Sequence, residues 1–207
     1  MVGEGVLHEC LLSSDVEKVL AVSRRPSGFT HPKLLEIILP DFFNLNSIES
    51  SLSGYNACFF CLGVSAVGMK KELYEKLTYD LTIGFARILA KQNSDMSFCY
   101  VSGARTDSTE KGKFHWARVK GKTENDLQKL GFKNTYLFRP AMLKPTKGAK
   151  NVLPVYKWFK WLIPIFETFS PSSVTSLAQL GQAMIHAVKR GYSKNILEVE
   201  DIKKLSI

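Results

Sequence analysis

The sequence predicts an α/β fold with a doubly wound, mostly parallel sheet, and three observations predict it. Short apolar runs of strand character alternate with longer amphipathic segments, the rhythm of strand, crossover helix, strand. The run Ala57-Cys-Phe-Phe-Cys-Leu62 is apolar throughout, as a strand covered on both faces should be. The 207 residues, 45% hydrophobic and 23% charged, suit one domain with its own core and exclude a disordered, collagen-like or fibrous chain.

Taken in order, residues 3–14 set Val6, Leu7, Cys10 and Leu11 at helical spacing and run into Ser13-Ser14-Asp15, which predicts an amphipathic helix. Residues 18–23 read as a strand closed by the basic turn Arg24-Arg25-Pro26-Ser27-Gly28. A second strand spans 34–39 and stops at Pro40-Asp41, and a short helical turn spans 47–52. The third strand, 57–62, ends at Gly63. Leu73, Leu77, Leu81, Phe85, Ile88 and Leu89 recur every three to four residues and predict a long helix over 70–91. A strand over 96–102, a helix over 116–130 and a strand over 135–138 follow, the last ending at Arg139-Pro140. Beyond it, 144–150 is a Pro/Gly/Lys loop, 152–169 an aromatic helical stretch, 176–189 a helix capped by Thr175 or Ser176, and 195–199 a late strand. The expected organisation is a single domain over 1–207, with 142–192 as a small C-terminal helical cover on the substrate side.

The formal charge is +9, and it is local. Residues 1–100 hold 9 Lys/Arg against 11 Asp/Glu, whereas the stretch from Arg105 to Lys160 holds 14 basic and 4 acidic residues. A cation-rich rim around an anionic small molecule accounts for this field; no DNA- or RNA-binding motif accompanies it, and no nucleic-acid partner is expected. No apolar run reaches the roughly 18 residues needed to span a bilayer. The amino terminus has no basic region ahead of an apolar one, so it does not read as a signal peptide. Four cysteines in a chain this long do not make a disulfide framework, so the expectation is a reducing, cytoplasmic setting. Cys58 and Cys61 have CxxC spacing but sit in a strand, where they point to opposite faces, and read as core thiols. His8, His31, His115 and His186 show no ligand spacing, and no metal site is expected. The segment 156–166 packs five aromatics, two Lys and a Pro into eleven residues. It reads either as a lid or cover over the sheet or as a peripheral contact with a membrane or protein.

The succession of Gly3 opening a helix, Ala21-Val-Ser-Arg-Arg25, Asp41-Phe42, Cys61-Leu-Gly63, Tyr100-Val-Ser-Gly103, Val119-Lys-Gly-Lys-Thr-Glu-Asn125 and Phe138-Arg-Pro140 resembles the atypical or extended short-chain dehydrogenase/reductase superfamily. Within it, the likeness is to small nucleoside-diphosphate-sugar epimerase-like proteins related to the Tat-interacting oxidoreductase. The resemblance covers nearly the whole chain and implies a Rossmann-like domain that binds NAD(P). The family's glycine turn reads Gly-x-x-Gly-x-x-Gly after a first strand; here only its last glycine, Gly3, is present, so the chain is expected to be N-terminally truncated relative to that pattern.

The resemblance also implies a cofactor site. Ser23, Arg24 and Arg25 stand where the family reads the adenosine ribose, and a guanidinium there can fork onto a 2′-phosphate, which points to NADP, with NAD as the second choice. The same two arginines read equally as a solvated basic turn. Asp41 and Phe42 match the pair that contacts adenine; Cys61, Leu62 and Gly63 lie beside the nicotinamide ribose; Arg139 and Pro140 end the strand that borders the carboxamide. Hydride chemistry in the superfamily pairs a Tyr acid with a Lys four residues on, and a Ser or Thr orients the carbonyl. Lys120 and Ser102 match the Lys and the Ser, so they are the candidate catalytic residues, but Trp116 occupies the Tyr position. An indole releases no proton at useful pH.

Three readings stay open: another acid (His115, Tyr100 or water), an acceptor that needs no strong acid, or binding without turnover. The expected function is an NADP-preferring oxidoreductase or epimerase-like protein acting on a small carbonyl or hydroxyl substrate. The alternatives are a non-enzymatic dinucleotide-binding regulatory or partner-binding protein and an inactive truncated fragment. The helices over 70–91 and 116–130 would suit a homodimer interface of the kind common in the superfamily.

Overall fold

The computed structural model describes residues 1–144 and 174–207. Helix α1 (Val2–Leu12) opens it, followed by strands β1 (Val19–Ser23) and β2 (Leu34–Ile38), a 3-10 turn (Glu49–Leu52) and strand β3 (Ala57–Phe60). Next comes one continuous helical rod made of α2 (Lys71–Glu75), a π turn (Lys76–Asp80) and α3 (Leu81–Gln92). Strand β4 (Ser97–Val101), helix α4 (His115–Leu127), strand β5 (Asn134–Phe138) and the short strand β6 (Met142–Lys144) follow. After residue 173 the chain continues with β7 (Val174–Ser176), α5 (Leu177–Arg190), β8 (Ile196–Leu197) and α6 (Val199–Leu205). The helical stretch expected over 152–169 and the segment 156–166 lie outside the described residues.

Every ladder is parallel, as the alternation predicts. The strands form three hydrogen-bonded groups, in the orders β1-β2, β3-β4-β5-β8 and β6-β7. Among the described residues β3 pairs with β4 alone, and three of its four residues are half-buried. Both of its faces are packed, Phe59 against one core and Cys58 and Phe60 against the other, as the apolar run predicts.

The first two groups nevertheless belong to one layer, which the alternation of their side chains shows. Val19, Phe59, Cys99, Tyr136 and Phe138 point to one face and join a core with Val6 and Cys10 of α1, Leu180 and Met184 of α5, and Ile202 of α6. Leu20, Val22, Phe60, Phe98, Tyr100 and Leu137 point to the other and join Ile83, Phe85 and Leu89 of α3, Leu127 of α4, and Phe42, Leu45 and Ile48 of the connection after β2. The result is helices, sheet, helices.

Local chemistry explains the ends of the elements. Ser176 caps α5 with a full capping box, its hydroxyl accepting from the Gln179 amide at 3.0 Å while the Gln179 side chain accepts from the Ser176 amide at 2.9 Å. α5 stops at Gly191, whose φ of 73° is left-handed. α6 is unexpected: residues 195–199 read as one strand, but pairing ends at Leu197 and the chain turns into a helix. The strands β6 and β7 are unexpected as well.

Candidate functional site

Register sets the carboxyl ends of β3, β4 and β5 side by side, and the residues just past those ends are Cys61, Ser102 and Arg139. In parallel α/β sheets this edge, with the helix starts above it, is where ligands sit. The start of α1 reaches the same edge: a Cβ built on Gly3 would lie 3.5 Å from the Cys61 Cβ. Gly63 beyond it is exposed with open space around it.

The densest chemistry lies between β4, α4 and β5. The Ser102 hydroxyl donates to Oε1 of Glu124 at 2.5 Å, and its backbone amide donates to the Phe138 carbonyl at 2.9 Å. Lys120, one turn before Glu124 on α4, donates from Nζ to the Ser102 carbonyl. Glu124 is completely buried, and Arg139 grips both of its oxygens, Nε on Oε1 at 3.1 Å and Nη2 on Oε2. Arg139 also donates from Nη2 to the Ser108 hydroxyl at 2.6 Å and from Nη1 to Glu198 at 3.4 Å. Ser102, Lys120 and Arg139 are therefore brought together, through Glu124. The Pro140 carbonyl accepts from the Ala104 amide at 2.9 Å and ties the β5 end to the loop after β4.

Electrostatics follow from burial. Desolvation pulls the Lys120 amine down to about 8, and the Glu124 carboxylate opposes that pull. Burial pushes the Cys10 and Cys61 thiols up to about 12, with Glu9 adding to the first and Cys10 to the second, and drives Cys58 and Cys99 well above the ordinary thiol range. All four cysteines are free, and as neutral thiols they are poor nucleophiles.

The remaining candidates are spread along the edge. Ser23 turns its hydroxyl onto the Arg25 carbonyl at 2.5 Å, and Arg24 and Arg25 are exposed past the end of β1. Asp41 accepts from the Phe43 amide at 2.9 Å, while the Phe42 side chain is core, its ring 6.3 Å from that of Phe85. Leu62 is half-buried. Trp116 lies half-buried in the first turn of α4. Of the alternative acids, Tyr100 is sealed in the core, where burial drives its phenol far above the usual range, and the His115 ring stands 6.2 Å from that of Tyr74 on α2. Sequence reasoning missed Glu124, Ser108 and Glu198. The signal for Glu124 was present, a carboxylate four residues after Lys120 on the same helix face. Among the described residues no cluster of His, Cys, Asp or Glu could hold a metal ion, and no helix is long and apolar enough to cross a membrane.

Comparison with solved structures decides the architecture. A UDP-N-acetylglucosamine 4-epimerase from Methanobrevibacter ruminantium superposes with a TM-score of 0.68 at 14% identity over 96% of this chain and 72% of its own. An L-sorbose reductase from Gluconobacter frateurii, solved with NADPH and L-sorbose, superposes with a TM-score of 0.65 at 12% identity, covering 94% and 89%. The fold is Rossmann-like, an α/β doubly wound, mostly parallel sheet. No family model matches the sequence. Among curated proteins, the mitochondrial protein fmp52 of Emericella nidulans is 29% identical over 150 residues, 69% of this chain, which spans only 63% of that relative. The mitochondrial protein FMP52-1 of Scheffersomyces stipitis is 28% identical over 202 residues, 94% of this chain and 86% of the relative. The leucinostatins biosynthesis cluster protein T of Purpureocillium lilacinum is 24% identical, covering 89% and 80%. The mitochondrial names of several of these relatives overturn the cytoplasmic expectation. A cysteine count without a disulfide framework does not single out the cytosol among reducing compartments.

Proposed function

We propose that this chain binds a nicotinamide dinucleotide along the carboxyl edge of its sheet and acts as an NADP-preferring oxidoreductase or epimerase-like protein on a small carbonyl or hydroxyl substrate. The observation that carries the reading is the juxtaposition of Lys120 and Ser102 at the end of β4, with Arg139 held at the end of β5 and the start of α1 reaching the end of β3. The donor set fits an anionic dinucleotide. Arg24 and Arg25 are exposed past β1, where they can meet a phosphate, and the space around Gly63 lets a ligand approach backbone closely. The relatives' names favour a mitochondrial setting. The chain acts in this reading as one domain over 1–207; of the cover expected over 142–192, residues 145–173 lie outside the described residues.

The dinucleotide, when bound, supplies hydride transfer. Lys120 holds ribose hydroxyls with its remaining N–H donors, the two arginines select the 2′-phosphate, and the Ser102 oxygen is fixed by its own hydrogen bonds.

One observation favours a second reading. Trp116 supplies no proton one turn before Lys120, and this suits a dinucleotide-binding regulator that does not turn over. The test is titration of NADPH and NADH into the purified chain, followed by nicotinamide fluorescence, with NADPH oxidation then measured against a panel of small carbonyls. Micromolar NADPH binding supports both readings, turnover selects the first, and no binding below millimolar overturns both.

A further inference from the structure

Ser102, Lys120, Glu124 and Arg139 form a buried network with an uneven charge balance. Arg139 pairs with the fully buried Glu124 carboxylate, Lys120 donates to the backbone of the same Ser102 whose hydroxyl Glu124 binds, and the other acid in reach of Arg139, Glu198, is half exposed. The buried Arg139 guanidinium needs a counter-charge, which Glu124 supplies, and the partly buried Lys120 ammonium one helical turn before Glu124 feels the same negative charge. The same carboxylate takes the Ser102 hydroxyl proton. The backbone carbonyl of Ser102 is meanwhile held by Lys120, so α4 grips this residue at two atoms from two positions one helical turn apart.

We propose that Glu124 is a positioning residue of the site: its carboxylate orients the Ser102 hydroxyl and keeps the Lys120 ammonium charged where that cation meets its ligand, while Arg139 holds the carboxylate in place. This rests on the reading of Lys120 as a dinucleotide contact. Lys120 titrates near 8 in the intact network, with Glu124 resisting loss of its proton. The groups around the network are Glu124 and His115 on α4, Tyr100 on β4, Tyr74 on α2, Arg139 after β5 and Glu198 before α6; of these, Glu124 acts electrostatically on Lys120 among the described residues.

The experiment follows the Lys120 Cε signal by NMR in the full chain labelled with 13Cε-lysine, the signal being identified by its loss in Lys120→Arg. In Glu124→Gln the midpoint falls by a pH unit or more, a tenfold change in the proton equilibrium. In Ser102→Ala, which loosens the same place but leaves the charge, it stays within a few tenths of a unit. Should Glu124→Gln not fold, Glu124→Asp carries the test: its shorter carboxylate withdraws from Lys120 and lowers the midpoint by about half a unit. An unchanged midpoint in the folded Gln variant, or in the Asp variant where Gln does not fold, overturns the proposal, as does an equal shift in Ser102→Ala. NADPH binding at pH 6 and pH 8 then separates the two claims. Glu124→Gln weakens NADPH at least threefold more at pH 8 than at pH 6. Equal losses at both pH values overturn the positioning role, and wild-type chain that binds no NADPH overturns the dinucleotide reading without touching the Lys120 result.

Discussion

Replacing Gly121 with Ala tests the way the loop after β4 is seated on α4. Gly121 lies mid-helix, where Ala is ordinarily the better residue by about 1 kcal/mol, so helix propensity alone predicts a more stable protein. The structure predicts the opposite. A Cβ at this position would stand 1.8 Å from the Asp107 carbonyl oxygen, 2.5 Å from its carbonyl carbon and 3.2 Å from the Ser108 nitrogen, all of them backbone. The loop would have to lift by more than an ångström, and it is fastened where it would lift. The Asp107 amide donates to the Ala117 carbonyl at 3.1 Å, Asn125 donates to the Ser108 carbonyl at 3.0 Å, and Arg139 donates to the Ser108 hydroxyl at 2.6 Å. At about 1 kcal/mol for each lost bond, the three outweigh the gain in propensity and leave a net destabilisation of about 2 kcal/mol. For a chain of this length that lowers Tm by roughly 4–8 °C. Thermal and urea unfolding measure it, and limited proteolysis should show faster cleavage between residues 103 and 114. A Gly121→Ala protein as stable as the wild type or more so would mean that the loop does not rest on the helix, and the reasoning would fail.

Arg24→Ala and Arg25→Ala should each weaken NADPH by about 1–3 kcal/mol while leaving NADH nearly unchanged, and equal losses would refute the phosphate-reading role. Phe98 is fully buried, with its ring 4.9 Å from that of Phe132 and 5.8 Å from that of Phe60, so Phe98→Ala should cost about 3–5 kcal/mol by urea unfolding. Lys120 makes stability depend on pH with a definite sign. Its folded value near 8 lies below the ordinary 10.5, so between these values the unfolded chain binds more protons than the folded one. Stability then rises with pH across that window, by at most about 1.4 kcal/mol per unit, and the full cost of burying the charge is present below pH 8. Lys120→Met removes this slope; a slope that survives in the variant belongs to another group.

The parts of the fold that rest on local pattern were legible. The periodicity of Leu73 through Leu89 found the long helix, and the pair Thr175-Ser176 marked the start of α5, with Ser176 the residue whose side chain caps it. Periodicity could not reveal the π turn at Lys76–Asp80, because one extra residue in a turn barely shifts the apolar stripe. α6 was missed because its seven residues, with Val199, Ile202 and Leu205 buried, are too few for a helical period to stand out beside an adjoining strand. β6 and β7 owe their pairing to each other, residue 142 meeting residue 174, and such a contact has no local signature. Within the site, resemblance supplied Ser102, Lys120 and Arg139 as separate strand-end and helix residues. It did not supply the carboxylate that joins them, because a buried charge is recognised by its partner and Arg139 is 15 positions away.

Stability is a poor explanation for the network around Glu124. A buried ion pair gains little over well-packed apolar side chains of the same volume, since desolvation consumes most of the Coulomb attraction, whereas removal of one partner costs about 3–5 kcal/mol. A core needing only cohesion at this place would be served by more of what surrounds it, the Phe138, Leu137 and Tyr136 of β5. The network instead occupies the residues just past the ends of β4 and β5, Ser102 and Arg139, and one face of the helix that borders them, which is the side of a parallel sheet that faces a ligand. Their hydrogen bonds also restrict what they can do. The Ser102 proton is committed to Glu124, and Lys120 has spent one donor on a backbone carbonyl, so what remains toward the open edge is an ammonium with spare N–H groups and a hydroxyl oxygen that can accept. That set is suited to holding hydroxyls and negative charge. It lacks a neutral acid where Trp116 stands, so in the oxidoreductase reading the proton that accompanies a transferred hydride comes from His115, the ammonium of Lys120, water or the substrate itself, and the pH dependence of turnover is where these sources differ.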